Sequence, residues 1–217
     1  MQKETIEMIG DAHIGTSVDT PMRLDAFDKS DSEKIEIIEH HFAEIMQALG
    51  LDLSDDSLQG TPYRVAKMYV KEIYRGLNPA NKPKLSVFEN KYGYKEMLLE
   101  KNINLNSNCE HHFVPIVGKV HVAYIPGDKV IGLSKLNRIV QYYAQRPQVQ
   151  ERLGLQIAKE IKSLLQIDDV AVYIDAKHLC VSTRGVKDES SSTVTTVYSG
   201  LFETAETKNE FLKYIAN

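Results

Sequence analysis

Apolar residues recur at steps of three and four from Ile35 through Ile38, Phe42 and Ile45 to Leu49, and Gly50 closes the run. This predicts an amphipathic helix starting near Ser32. The stretch "GTPYRVAKMYVKEIYRG" predicts a second helix, with Thr61 as N-cap, Pro62 at its first position and Gly76 past its end. "NPANKP" then breaks the chain. Beyond it the period changes. Val120, Val122 and Tyr124 alternate with His121, Ala123 and Ile125 up to Pro126 and Gly127, the pattern of a strand. Two helical segments follow. "LSKLNRIVQYYAQR" takes Ser134 as N-cap, and the second runs from Pro147 with Val149, Leu153, Ile157, Ile161 and Leu164 on one side. Two further strands, "DVAVYIDAKHLCVS" and "STVTTVYSGLF", precede a short helix around Phe211 to Ile215.

Strands, a pair of helices and strands again predict an α+β fold, an antiparallel sheet with helices on one face, preceded by an N-terminal helical region. The expected organisation is a flexible arm over 1–30, a helical region over 31–95 and a catalytic domain over 96–217. Composition alters this little: 217 residues, 42% hydrophobic and 26% charged, are ordinary for a globular chain. A net charge of -4 gives no global pull toward nucleic acid or an anionic membrane. There is no apolar run of ~20 residues and no apolar core near the N-terminus, so the expectation is a cytosolic protein. In a reducing compartment its two cysteines are candidates for buried thiols, a metal site or redox chemistry.

The cysteines do not stand alone. In "NSNCEHHFVPIVGKV" Cys109 and His112 are spaced so that a tight turn points thiolate and imidazole at one place. In "DAKHLCVSTRG" His178 and Cys180 are two residues apart, on one face of a strand. This favours zinc over inert thiols. Four protein ligands would close the shell and make it structural. Three would leave a position for water, with His111 and His178 as acid–base groups beside it. Zinc deaminases carry H-x-E and P-C-x-x-C, and neither occurs here. His40 and His41, on the first helix, read as surface or packing residues.

Ser134, Lys135 and Arg138 open a helix, where free N–H groups and the helix dipole favour an anion. Arg184 follows Cys180 closely and brings a cation toward the metal residues. Gln150 and Glu151 match the donor edge of guanine, although a carboxylate is also ordinary in a first turn. Arg64, Lys67 and Lys71 form a basic stripe on the second helix.

Taken in order, "GTPYRVAKMYVKE", "CEHHFVPIVGKVHVAYIPGDKVIGLSKLNRIVQYYAQRPQVQERL" and "DAKHLCVSTRG" closely resemble the GTP cyclohydrolase I family over roughly residues 55–205. Ile116 departs from the phenylalanine of many members, which bears on packing. The resemblance implies the tunnelling fold, a homo-oligomer of ten subunits with sites at subunit interfaces, and one zinc ion per subunit on Cys109, His112 and Cys180. It implies hydrolysis and rearrangement of GTP to 7,8-dihydroneopterin triphosphate and formate, the entry step to folate or tetrahydrobiopterin, with zinc-held hydroxide attacking carbon 8 of guanine. His178 would protonate a purine nitrogen, His111 would assist at the ribose opening, and Ser134 would lie near the ribose. Gln150 and Glu151 would read guanine, while Lys135, Arg138, Arg184, Arg64 and Lys67 would bind the triphosphate. Two rivals use fewer of these residues: another tunnelling-fold enzyme acting on purines or pterins, and a non-catalytic zinc protein that binds GTP.

Overall fold

The computed structural model describes residues 19–216, so most of the arm expected over 1–30 lies outside the described residues. Two compact units are present, one spanning Pro21–Lys82 and the other containing the chain from Pro83 onward.

In the first unit, α1 (Asp31–Ala48) starts at Ser30 with a reciprocal cap. The Ser30 N–H donates to Glu33 Oε2 at 2.7 Å and the Glu33 N–H donates to Ser30 Oγ at 3.3 Å. Such caps contribute about 1 kcal/mol. Ile35 and Met46 are buried, whereas Ile45 and Leu49, both on the predicted stripe, are 53% and 74% exposed. Gly50 adopts φ +84 just past the end, as a helix stop should. In α2 (Thr61–Met68) the expected cap is displaced by one residue: Gly60 is the N-cap and Pro62 lies one position further in. The Thr61 hydroxyl instead accepts from Arg64 Nη2 at 2.8 Å. The helix runs on through a π-helical turn at Tyr69–Ile73 and ends in 3-10 turns, with Gly76 inside the first of these.

The second unit is built on two sheets. β1 (Val87–Glu89) pairs antiparallel with β4 (Lys129–Ile131). The larger sheet contains β2 (Leu98–Cys109), β3 (Pro115–Tyr124), β5 (Pro147–Gln148), β6 (Val170–His178) and β7 (Thr193–Ser199), in the order β5-β2-β3-β6-β7. All its neighbours are antiparallel except β5, which runs parallel to β2. The helical segment expected from Pro147 therefore begins later. Pro147 and Gln148 form β5, and α4 (Gln150–Leu165) starts after Val149. The preceding α3 (Leu133–Ala144) has Gly132 rather than Ser134 as N-cap, so Ser134 sits inside the first turn.

Period-two burial explains the layering. Val120, Val122 and Tyr124 of β3 and Val170, Val172 and Ile174 of β6 share a core with Leu136, Ile139 and Val140 of α3 and Leu153, Ile157 and Ile161 of α4. Each fully buried side chain of this kind contributes about 1.5–3 kcal/mol as an upper estimate. The alternate residues Ala123 and Ala171 meet Phe202 and Phe211 in a second cluster. Phe211 belongs to the last helix, Ala205–Ile215, which begins earlier than its apolar residues suggested because Thr204 caps it. Gly118 lets β3 and β6 come close: a Cβ there would collide with the Asp175 carbonyl oxygen and lie 2.5 Å from the Ala176 Cα. This contact holds the register that sets Ile116 opposite His178.

Candidate metal and substrate site

The β2–β3 hairpin creates the first half of the site. The Cys109 N–H donates to the Val114 carbonyl at 2.9 Å and the Phe113 N–H donates to the Cys109 carbonyl at 2.9 Å, closing a tight turn over Glu110, His111 and His112. Phe113 takes φ +55 to complete it, a left-handed conformation that costs a non-glycine residue roughly 1–2 kcal/mol. The turn folds Cys109 and His112 toward the same side.

The second half differs from the sequence expectation. β6 ends at His178, and Leu179–Ser182 form a short helix, α5, so His178 and Cys180 do not share a strand face. The helical turn carries the Cys180 thiol to the hairpin. One ligand atom each from Cys109, His112 and Cys180 lies within 4.8 Å of the others. Cys109 is buried, Cys180 half-buried and His112 exposed, so the cluster opens to solvent on the imidazole side. Burial pushes the Cys180 thiol up, the neighbouring Cys109 adds to this, and Arg184 works in the opposite direction. Two thiols and an imidazole gathered this closely match the donor set of a zinc ion, which would favour their deprotonated forms.

A cavity of about 450 Å³ opens beside the cluster. Its walls are Cys109, His111 and His112 from the hairpin, Gln148, Val149, Gln150 and Glu151 from β5 and the start of α4, and His178 and Cys180. His111 Nδ1 lies 3.6 Å from Cys109 Sγ. Arg184 Nη1 lies 3.1 Å from His112 Nε2, which brings this predicted cation to the cluster. Glu151 is exposed and lines the cavity. Burial lowers the His178 imidazole, partly offset by Glu151.

Gln150 is not presented as a base reader should be. Its side chain is 2% exposed and its Nε2 donates toward the Thr193 carbonyl at 2.8 Å, Thr195 Oγ1 at 3.1 Å and the Ile174 carbonyl at 3.2 Å. Its Oε1 lies 2.8 Å from His178 Nε2. The amide is engaged inside the protein, which leaves Glu151 as the free group of the pair.

The remaining predicted residues are not gathered here. Ser134, Lys135 and Arg138 lie on the first turns of α3, Ser134 and Arg138 exposed, and none of them walls the cavity. Arg64 and Lys67 are exposed on α2 of the other unit. Lys71 pairs with Asp31 of α1.

Sequence reasoning missed an ion pair at the hairpin. Glu110, inside the hairpin turn, accepts two hydrogen bonds from Arg152 of α4, Nη2 to Oε1 at 3.2 Å and Nη1 to Oε2. With Arg152 only 4% exposed, the pair ties the hairpin to α4. The Glu110 N–H reinforces the tie by donating to the Gln148 carbonyl at 3.0 Å. Only the glutamate beside Cys109 hinted at this, since an arginine buried on a helix has no local signature. Glu44 was missed too: it pairs with His41 at 2.8 Å and His40 at 3.5 Å on the exposed face of α1.

The fold is thus an α+β domain that sets a thiol–imidazole–thiol cluster able to hold a metal ion beside a separate histidine and a carboxylate. The family model for GTP cyclohydrolase I matches residues 38–216. The chain is 58% identical over 213 residues to the GTP cyclohydrolase 1 of Flavobacterium johnsoniae, covering 98% of this chain and 96% of that protein. It is 51% identical over 209 residues to the enzymes of that name from Citrobacter koseri and Salmonella arizonae, covering 96% of this chain and 94% of each of those proteins. The chain belongs to the GTP cyclohydrolase I family.

Proposed function

We infer that this enzyme, a GTP cyclohydrolase by family, converts GTP and water into 7,8-dihydroneopterin triphosphate and formate in the cavity beside Cys109, His112 and Cys180, which would hold one zinc ion per subunit. The observation that carries this reading is the convergence of three ligand atoms within 4.8 Å, from sequence segments about 70 residues apart, next to His178 and Glu151. When bound, the ion supplies a Lewis acid beside which water loses a proton near neutral pH. His178 hands a proton to the purine nitrogen as the imidazole ring opens. His111 moves protons during ribose opening. Zinc-loaded protein mixed with GTP should release formate and fluorescent pterin in equal amounts; nucleotide binding without formate would leave a non-catalytic GTP-binding protein.

Glu151 is the base reader in this scheme, accepting from the N–H groups of guanine. Glu151→Gln substitutes an amide that presents a donor to a donor edge. The expected loss is about 2–4 kcal/mol in kcat/KM, and an unchanged kcat/KM for GTP would remove Glu151 from this role.

Lys135, Arg138, Arg184, Arg64 and Lys67 bind the triphosphate, and Ser134 lies near the ribose. Because α3 does not wall the cavity, the reading requires a second copy of the chain to complete the site, in a homo-oligomer for which we propose ten subunits. Two observations support association. β7 is an edge strand without lysine or proline, the kind of edge that pairs with another chain, and Ile45 and Leu49 leave an apolar face of α1 uncovered. Arg64→Ala and Lys67→Ala should raise KM for GTP several-fold while zinc content is unchanged. Subunit exchange between Arg64→Ala and Cys180→Ser proteins should restore some active sites, and proven exchange with no recovered activity would refute a shared site. Among the described residues no helix is long and apolar enough to cross a membrane.

A further inference from the structure

We propose that Gln150 is a positioning residue for His178, holding Nε2 of that ring and leaving Nδ1 as the nitrogen that meets the substrate. The inference rests on His178 being the proton-transfer group of the proposed reaction. It follows from which atoms can donate. Gln150 Nε2 faces two backbone carbonyls, of Thr193 at 2.8 Å and Ile174 at 3.2 Å, and a carbonyl oxygen can only accept. The amide cannot be turned around without setting its own oxygen against both. Gln150 Oε1 is therefore the atom 2.8 Å from His178 Nε2, and Nε2 must carry the hydrogen.

The neutral ring then has its lone pair on Nδ1, which has no hydrogen-bond partner among the described residues. His178 lines the cavity while its Nε2 is turned into the protein against a side chain only 2% exposed. Nδ1 is thus the ring nitrogen left for a substrate in the cavity, while Nε2–H stays on Gln150. The Gln150 anchor reaches β6 at Ile174 and β7 at Thr193 and Thr195, so two strands hold the orientation. This is the outer hydrogen bond by which proteins set a histidine's tautomer.

The test uses full-length protein labelled with nitrogen-15 in histidine, with the His178 signals assigned by their loss in His178→Ala. Solid-state spectra recorded about two pH units above the ordinary imidazole value should show Nε2 protonated and Nδ1 bare. Gln150→Met should lose that preference. With zinc content unchanged, kcat of Gln150→Met should fall about 10–100-fold while KM for GTP stays within about threefold. Discrimination between GTP and inosine triphosphate should be unaltered. A proton on Nδ1 in the unmodified protein would overturn the proposal. So would a Gln150→Met protein whose kcat is normal but whose KM for GTP rises and whose discrimination falls, the behaviour of a base reader. Full activity of His178→Ala alongside the expected spectra would reject the catalytic role of His178 and uphold the Gln150 contact.

Discussion

Cys109→Ser and Cys180→Ser should each abolish metal binding and reduce kcat by roughly 10³-fold or more. A hydroxyl is a much poorer zinc ligand than a thiolate, and among the described residues three protein ligand atoms converge here, so removing one leaves too few. The activation a metal gives to water amounts to several kcal/mol, and each 1.36 kcal/mol is tenfold in rate. His112→Ala should behave in the same way. Cys109 also packs in the main core, so each variant should be compared by metal content and thermal unfolding together with activity. A serine variant that is folded, free of metal and fully active would end the metal reading.

The second large effect separates the histidines. His178→Ala should keep its zinc and lose roughly 10²–10⁴-fold in kcat, the usual contribution of a positioned acid–base group. The geometry supports retention, because His178 is outside the three-residue ligand cluster and its Nε2 is held by Gln150 Oε1 at 2.8 Å. A closed four-ligand shell predicts the opposite metal content. If His178→Ala loses zinc as readily as Cys180→Ser while remaining folded, the site is structural and His178 is its fourth ligand.

Much of this site was legible in the chain because its parts are local. Cys109 and His112 lie in one turn, and short spacing almost forces their side chains together. The helices were legible because a repeat of three to four residues needs only one buried face, and Leu153, Ile157 and Ile161 occupy it as their spacing required. Less was legible where helix and strand ends meet. Thr61 and Ser134 have the chemistry of N-caps, yet Gly60 and Gly132 hold those positions, because backbone packing chooses among neighbouring candidates that differ by about 1 kcal/mol or less. β5 is too short to show any period of its own. Its parallel pairing with β2 is a long-range event.

By itself, then, the sequence determined the donor types, the strands β3, β6 and β7, the main helices, and the presence of a carboxylate near the start of α4. Tertiary structure alone decided how they are used. It turned Cys180 into the cluster through a helical turn rather than along a strand, and it joined Glu110 to Arg152 across 42 residues. It also set the Gln150 amide against His178 and the backbones of β6 and β7. The physical reason is common to all three. A buried polar group must find its hydrogen-bond partners wherever the fold supplies them, and partners brought from distant segments leave no periodic mark on the chain.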